Sequence, residues 1–155
     1  MKFVIRQLVA EDLQSGSGFF ETLSNLSGDS KEYSHWPLSQ KRRVWQTAKK
    51  QGSYFFVAVS KEKSSYNQIV SIAKLLIEPK FYYQGKPAAH LEDVATRKGF
   101  EGQGLSLALI KVAKQKAKTK GCYKMILSCK EKLIPFYSKS GFKKSSVCMR
   151  IDFKK

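Results

Sequence analysis

The chain has 155 residues, 42% of them hydrophobic, and 29 lysines and arginines against 12 acids give it a formal charge of +17. Such a chain is globular rather than disordered, and its length is that of one domain, residues 1–155, with room for a proper core. The charge favours anionic partners (nucleic acid, acidic membrane or phosphorylated small molecules), yet many lysines sit along helix faces, as Lys111, Lys114, Lys116, Lys118 and Lys120 do, rather than in one aromatic–basic patch. The three cysteines are an odd number with no CxxC pair, which argues against a disulfide framework or a zinc site, so no metal is expected. The N-terminal MKFVIRQLVAEDL lacks the apolar core of a signal peptide, and no apolar run reaches membrane-spanning length. A soluble cytoplasmic protein, with neither membrane nor nucleic acid as partner, is the expectation.

In chain order, residues 2–8 (KFVIRQL) alternate as a first strand. Leu13, Phe19, Phe20, Leu23 and Leu26 give a following helix its apolar stripe, weakened by Gly16 and Gly18, and residues 27–30 are a loop. Ser39 is the predicted N-cap of a second helix over residues 40–50, ended by Gly52. Strands follow at 53–60 (SYFFVAVS), 68–77 (QIVSIAKLLI) and 90–95 (HLEDVA), the last reached through an aromatic-rich connection. A helix over 104–120 closes at Gly121, a strand covers 122–129 (CYKMILSC), a short helix with Pro135 in its first turn covers 131–140, and residues 142–153 are a final strand. The order β-α-α-β-β-β-α-β-α-β is an α/β fold with a mixed, mostly antiparallel central sheet flanked by helices.

Residues 90–110 (HLEDVATRKGFEGQGLSLALI) run from an acidic strand through a basic, glycine-bearing loop into the longest helix. Such a turn exposes backbone N–H groups at the positive end of a helix dipole and suits an anion. By itself the motif is weak: it lacks the ending of a P-loop and the spacing of a dinucleotide fingerprint, and a plain strand-to-helix turn reads the same way.

LEDVATRKGFEGQGLS, GCYK at 121–124 and PFYSKSGF at 135–142 together resemble the GCN5-related N-acetyltransferase superfamily, and within it the glucosamine-6-phosphate N-acetyltransferases. HLEDV at 90–94 and the terminal Val-x-Met-x-Ile at 147–151 belong to the same pattern, which is continuous from about residue 79 and thin before it. The resemblance implies transfer of an acetyl group from acetyl-CoA to glucosamine 6-phosphate, a step towards UDP-N-acetylglucosamine. It also implies a homodimer. Backbone N–H groups of Phe100, Glu101, Gly102, Gln103, Gly104, Leu105 and Ser106 would hold the pyrophosphate. The main chain of Asp93, Val94 and Ala95 would run along the pantetheine arm. Tyr137 would protonate the departing thiolate, and Glu92 and Asp93 would orient the amine and help it lose its proton. Neighbours on a strand face opposite ways, so only one of that pair is expected to face the pocket. Lys80, Lys124 and His90 would meet the sugar phosphate, with Ser27 in the first loop and Ser128 completing the sugar site.

The chain departs from the family's pattern at five places. The loop carries Glu101 and Ser106 where Gln or Arg and a small Gly or Ala are usual. Ser128 replaces an acid, Leu133 an asparagine, and Asp152 an arginine that would grip the phosphate. Arg150 and Lys154 flank Asp152 at two-residue spacing and could supply that contact from one face of the last strand. Competing readings are an acetyltransferase for a polyamine, aminoglycoside or peptide, a basic nucleic-acid module, and a catalytically dead acyl-CoA sensor.

Overall fold

The computed structural model describes residues 2–28 and 33–153. Its strands are β1 (Phe3–Gln7), β2 (Ser53–Ser60), β3 (Ile69–Glu78), β4 (Ala88–Thr96) and β5 (Lys124–Ile126). Its helices are α1 (Phe19–Ser27), α2 (Leu38–Lys50), α3 (Leu105–Thr119) and α4 (Ile134–Ser138). The sheet runs β1-β2-β3-β4-β5, antiparallel throughout except for β5, which lies parallel to β4.

SYFFVAVS reads as an unbroken apolar run because β2 is buried on both faces. Phe56 and Ala58 pack beneath α3, whereas Val57 and Val59 pack on the α1 side. α3 delivers Leu105, Leu109, Ile110, Ala113 and Ala117 to the first core at helical spacing, and Leu109, Ile110 and Ala113 keep no exposed surface. α1 brings Phe19 to the second core, with Leu8 and Leu13 beside it.

The stripe from Leu13 to Leu26 does not form one helix. Gly16 and Gly18 take φ of 82° and 84°, and a Cβ on Gly18 would stand 2.5 Å from the Ile69 carbonyl oxygen, so the chain turns there and only glycine fits. Leu13 ends a separate 3-10 turn (Ala10–Leu13), held by Asp12, whose carboxylate accepts Arg6 Nη1 at 2.6 Å, Arg6 Nη2 at 2.8 Å and the Val9 N–H at 2.9 Å. The guanidinium is correspondingly held above its ordinary pKa, chiefly by that hydrogen bonding. α2 starts at Leu38 behind Pro37 without a side-chain cap, so Ser39 lies inside the first turn instead of capping it.

The greatest difference from expectation is at the far end. Residues 142–153 form no strand, and Val147, Met149, Ile151 and Phe153 are between 77% and 92% exposed. Their alternation is that of a strand with one face to bury, but among the described residues no strand pairs with them. β5 is likewise only three residues long rather than eight, for a reason that also shapes the site.

Candidate active site

β4 is irregular where the acids lie. Ile72 of β3 pairs with Ala95, but Lys74 pairs with Glu92, so β4 carries one extra residue and bulges. Asp93 takes φ of 50°, in the left-handed region that aspartate tolerates better than most residues. Strict alternation would send Glu92 and Asp93 to opposite faces. Instead Leu91 and Val94 both pack on the α3 side, and the two acids between them are exposed, turned away from that core. The bulge thus cancels the strict alternation and takes both acids off the α3 face, though of the two only Asp93 lines a cleft beside Lys74. Asp93 Oδ2 lies 3.9 Å from Lys74 Nζ, and both line this shallow cleft with Phe19, Leu23, Phe55 and Ile72.

The other edge of β4 opens. β5 pairs only with Ala88, Ala89 and His90, after which the strands diverge, so the edge of β4 from Leu91 onward has no strand beside it. Past its end lies the glycine loop. Gly102 and Gly104 take φ of 75° and 76°, and a Cβ on either would meet open space. Gly104 sits at the N-cap of α3 and no side chain caps the helix, which leaves its first N–H groups available to an anion. Glu101 is folded back on the loop, its Oε2 accepting the Gly99 N–H at 2.6 Å. Phe100 uses its N–H within the loop, donating to the Arg97 carbonyl at 3.0 Å, and is thus less suited to an anion than the expectation had it. Ser106 Oγ lies 2.7 Å from Thr96 Oγ1 and so is directed back to the end of β4.

Tyr137, on α4, packs edge-on against Phe136 and Phe142 and touches the core beneath α3. Burial, and secondarily Cys129, raises its phenol above the ordinary tyrosine pKa, so it keeps its proton at neutral pH. At the outer end of the β3–β4 hairpin, Glu78 bridges two side chains: Oε1 meets Lys80 Nζ at 2.5 Å and Oε2 meets His90 Nε2 at 2.7 Å. Lys80 and then His90 hold the Glu78 carboxyl below its ordinary pKa, and Glu78 holds Lys80 above its own.

A match to the "Acetyltransferase (GNAT) family" covers residues 20–142. The chain belongs to the GNAT acetyltransferase family. It is 44% identical over 85 residues to a glucosamine 6-phosphate N-acetyltransferase of Trypanosoma brucei brucei, a stretch covering 55% of this chain and 58% of that protein. The chain thus spans less than two thirds of the length of that curated relative. Among solved structures, an acetyltransferase of Trypanosoma brucei superposes with a TM-score of 0.86 at 31% identity, covering 97% of this chain and 99% of the other. The glucosamine-6-phosphate N-acetyltransferase of Arabidopsis thaliana superposes with a TM-score of 0.85 at 27% identity over 99% and 100%.

The predicted site residues fall at several places in this frame. Asp93, Val94 and Ala95 lie on the opened stretch of β4, and residues 101–106 form the loop and first turn beyond it. Lys80 and His90 meet through Glu78, a bridging carboxylate that no motif signals. Lys124 is exposed with Nζ 5.3 Å from the Tyr123 ring centroid, Ser128 is exposed past the end of β5, and Ser27 ends α1, its hydroxyl donating to the Ser24 carbonyl. Arg150 is not brought to Lys80: it pairs with Asp152 (Nε to Oδ1, 2.7 Å) in the exposed terminal segment. Lys154 lies outside the described residues. Lys74 was missed because it sits inside an apolar run, and only the register places it opposite Glu92. Among the described residues no helix is long and apolar enough to cross a membrane.

Proposed function

We propose that this GNAT protein transfers an acetyl group from acetyl-CoA to the amine of D-glucosamine 6-phosphate, giving N-acetyl-D-glucosamine 6-phosphate and CoA in the cytoplasm. The reading rests on one observation above others: the bulge puts two carboxylates on one face of β4 at the point where its edge opens and leads to an uncapped helix N-terminus. The donor set fits CoA. The first N–H groups of α3 and those around Gly102 and Gly104 suit a pyrophosphate, and the β4 main chain suits the amides of pantetheine. Bound acetyl-CoA would supply the activated thioester.

The chain's own groups do the rest. Asp93 and Glu92 orient the incoming ammonium and take up its proton, directly or through water. Glucosamine's amine is less basic than a lysine amine, so a weak base suffices. A main-chain N–H at the bulge faces developing negative charge on the acyl oxygen. Tyr137 still holds its proton at neutral pH, because burial raises it, and gives that proton to the departing sulfur. Lys80, already ordered by Glu78, offers a cation to the 6-phosphate, with Lys124 and His90 nearby on the sheet.

The decisive assay measures CoA release with glucosamine 6-phosphate, glucosamine, spermidine and a lysine peptide in parallel. Dependence on the 6-phosphate is expected; activity confined to spermidine or the peptide overturns the reading. We also propose a homodimer in which the alternating apolar residues 147, 149, 151 and 153 of one copy find in the other the sheet edge they lack here. A chain ending at residue 144 should sediment as a monomer where the full chain sediments as a dimer; a truncated chain that still dimerises removes this segment from the interface.

A further inference from the structure

Ser106 departs from the small residue usual at this point of the loop, yet its side chain does not crowd the face where an anion would bind. Its Oγ lies 2.7 Å from Thr96 Oγ1, Thr96 Oγ1 lies 2.9 Å from Ser71 Oγ, and Ser71 Oγ donates to the Ala95 carbonyl at 2.9 Å. Three elements meet in this row of hydroxyls: β3 through Ser71, the end of β4 through Thr96, and the first turn of α3 through Ser106. Ser71 has no exposed surface, so water does not compete at that end.

The direction of the row follows from counting protons. A hydroxyl has one proton to donate. Ser71 gives its proton to the Ala95 carbonyl, so Thr96 must donate to Ser71. Thr96 has then spent its own proton, so Ser106 must donate to Thr96. Ser106 therefore faces the loop with oxygen lone pairs only, and an anion gains nothing from that hydroxyl. A second tie holds the same residue from the other side, where Asn25 Nδ2 donates to the Thr96 carbonyl at 2.8 Å.

We propose that Ser106 is a positioning residue: by the one-way hydroxyl row Ser106–Thr96–Ser71 it fixes the pyrophosphate-binding first turn of α3 in register with the β4 main chain that receives the pantetheine arm. The proposal rests on CoA binding across these two elements. A ligand that spans both gains from their being held at a set separation, because the second contact then forms without further ordering. A ligand that touches only the helix turn gains nothing from that register.

The test compares Kd values by calorimetry for CoA and for its nucleotide half, adenosine 3′-phosphate 5′-diphosphate. Thr96→Val, which leaves the loop and helix sequence untouched, should weaken CoA about fivefold, the size of one lost hydrogen bond. Ser106→Ala should do the same, the double variant should lose little more, and Thr96→Ser should bind as wild type. Thr96→Val should not change the affinity for the nucleotide half. In the ligand-free protein Thr96→Val should speed exchange of the Ala108 amide, the first of α3 with a carbonyl partner (Gly104), and not of amides in the last turn, a result independent of whether CoA binds. Loss of both ligands in Ser106→Ala with none in Thr96→Val would instead make Ser106 a direct donor. Unchanged or tighter CoA binding in both variants, or unchanged exchange, would overturn the role. A wild-type chain that binds neither ligand would overturn the CoA reading itself.

Discussion

The donor side of this site is made of main chain, and the acceptor side of charged side chains. Towards the proposed acetyl-CoA, the chain presents the opened edge of β4, glycines with open space around them and an uncapped helix terminus. Towards the proposed amine and phosphate it presents Glu92, Asp93, Lys74, Glu78, Lys80 and His90, several already paired to one another. Backbone donors survive substitution so long as the backbone keeps its path, whereas a paired carboxylate or ammonium does not. The comparison explains how the loop can carry Glu101 and Ser106 and keep its form, and it predicts that replacements of equal size will act unequally on the two sides.

The largest effect is expected where the sides meet. Tyr137→Phe keeps the ring that packs against Phe136 and Phe142 and removes only the proton donor. Its turnover should fall roughly 100-fold or more, the usual worth of a positioned acid, with little change in either Michaelis constant. Turnover within a few-fold of wild type would take Tyr137 out of the chemistry. As pH rises through the phenol's own raised pKa the wild-type rate should fall, because the deprotonated form has no proton to give; through neutral pH this group should leave the rate flat.

Asp93 belongs to both sides at once and so separates them. Asp93→Asn keeps a residue that tolerates φ of 50° and removes the charge. It should fold with an unchanged melting temperature and lose on the order of tenfold or more in kcat/KM for the amine. Asp93→Val cannot take that conformation cheaply and should in addition lose about 1–3 kcal/mol of stability. Equal stability in the two variants would mean that the bulge does not depend on residue 93.

Lys80 tests the acceptor side alone. Lys80→Ala should raise the Michaelis constant for glucosamine 6-phosphate about tenfold and leave that for acetyl-CoA unchanged, since a charge-assisted contact is worth about 1.5–3 kcal/mol. The Glu78 carboxyl, held below its ordinary pKa by Lys80 and His90, stays ionised until the pH falls below the usual carboxylate range. Its hold on Lys80 is therefore kept through neutral pH and lost on acidification, or when Lys80, itself held above its ordinary pKa, gives up its proton at alkaline pH. Equal rises in both constants would count against a phosphate role.

How much of this was legible in the sequence follows the same division. An unbroken apolar run located β2 with its observed ends, and helical spacing located α3 within a residue at either end. The glycine loop, which leads into the uncapped start of α3 at Gly104, was legible as a strand-to-helix turn. The bulge was not: one extra residue leaves no mark on composition, yet it decides that both acids leave the α3 face. Lys74 and Glu78 gain meaning only through register and cross-strand neighbours. The terminal segment alternates as a strand does, but that reading did not hold: residues 142–153 form no strand, because alternation marks a face to bury and does not say what edge it pairs with.

The smallest effect is expected on the donor side, at Glu101. Its carboxylate accepts the Gly99 N–H, so part of its charge is already answered within the loop. A CoA pyrophosphate on the neighbouring N–H groups would still feel it across a short, solvent-screened distance, a repulsion of surface magnitude, well under about 1 kcal/mol. Glu101→Gln keeps a side-chain oxygen for the Gly99 N–H and removes the charge. The Michaelis constant for acetyl-CoA should fall about two- to threefold at low ionic strength, and the gain should vanish at high salt, because screening removes a Coulomb effect and leaves a structural one in place. A gain that persists at high salt would trace to loop geometry, and a loss at any ionic strength would show that the Glu101–Gly99 contact shapes the loop more than its charge opposes the ligand.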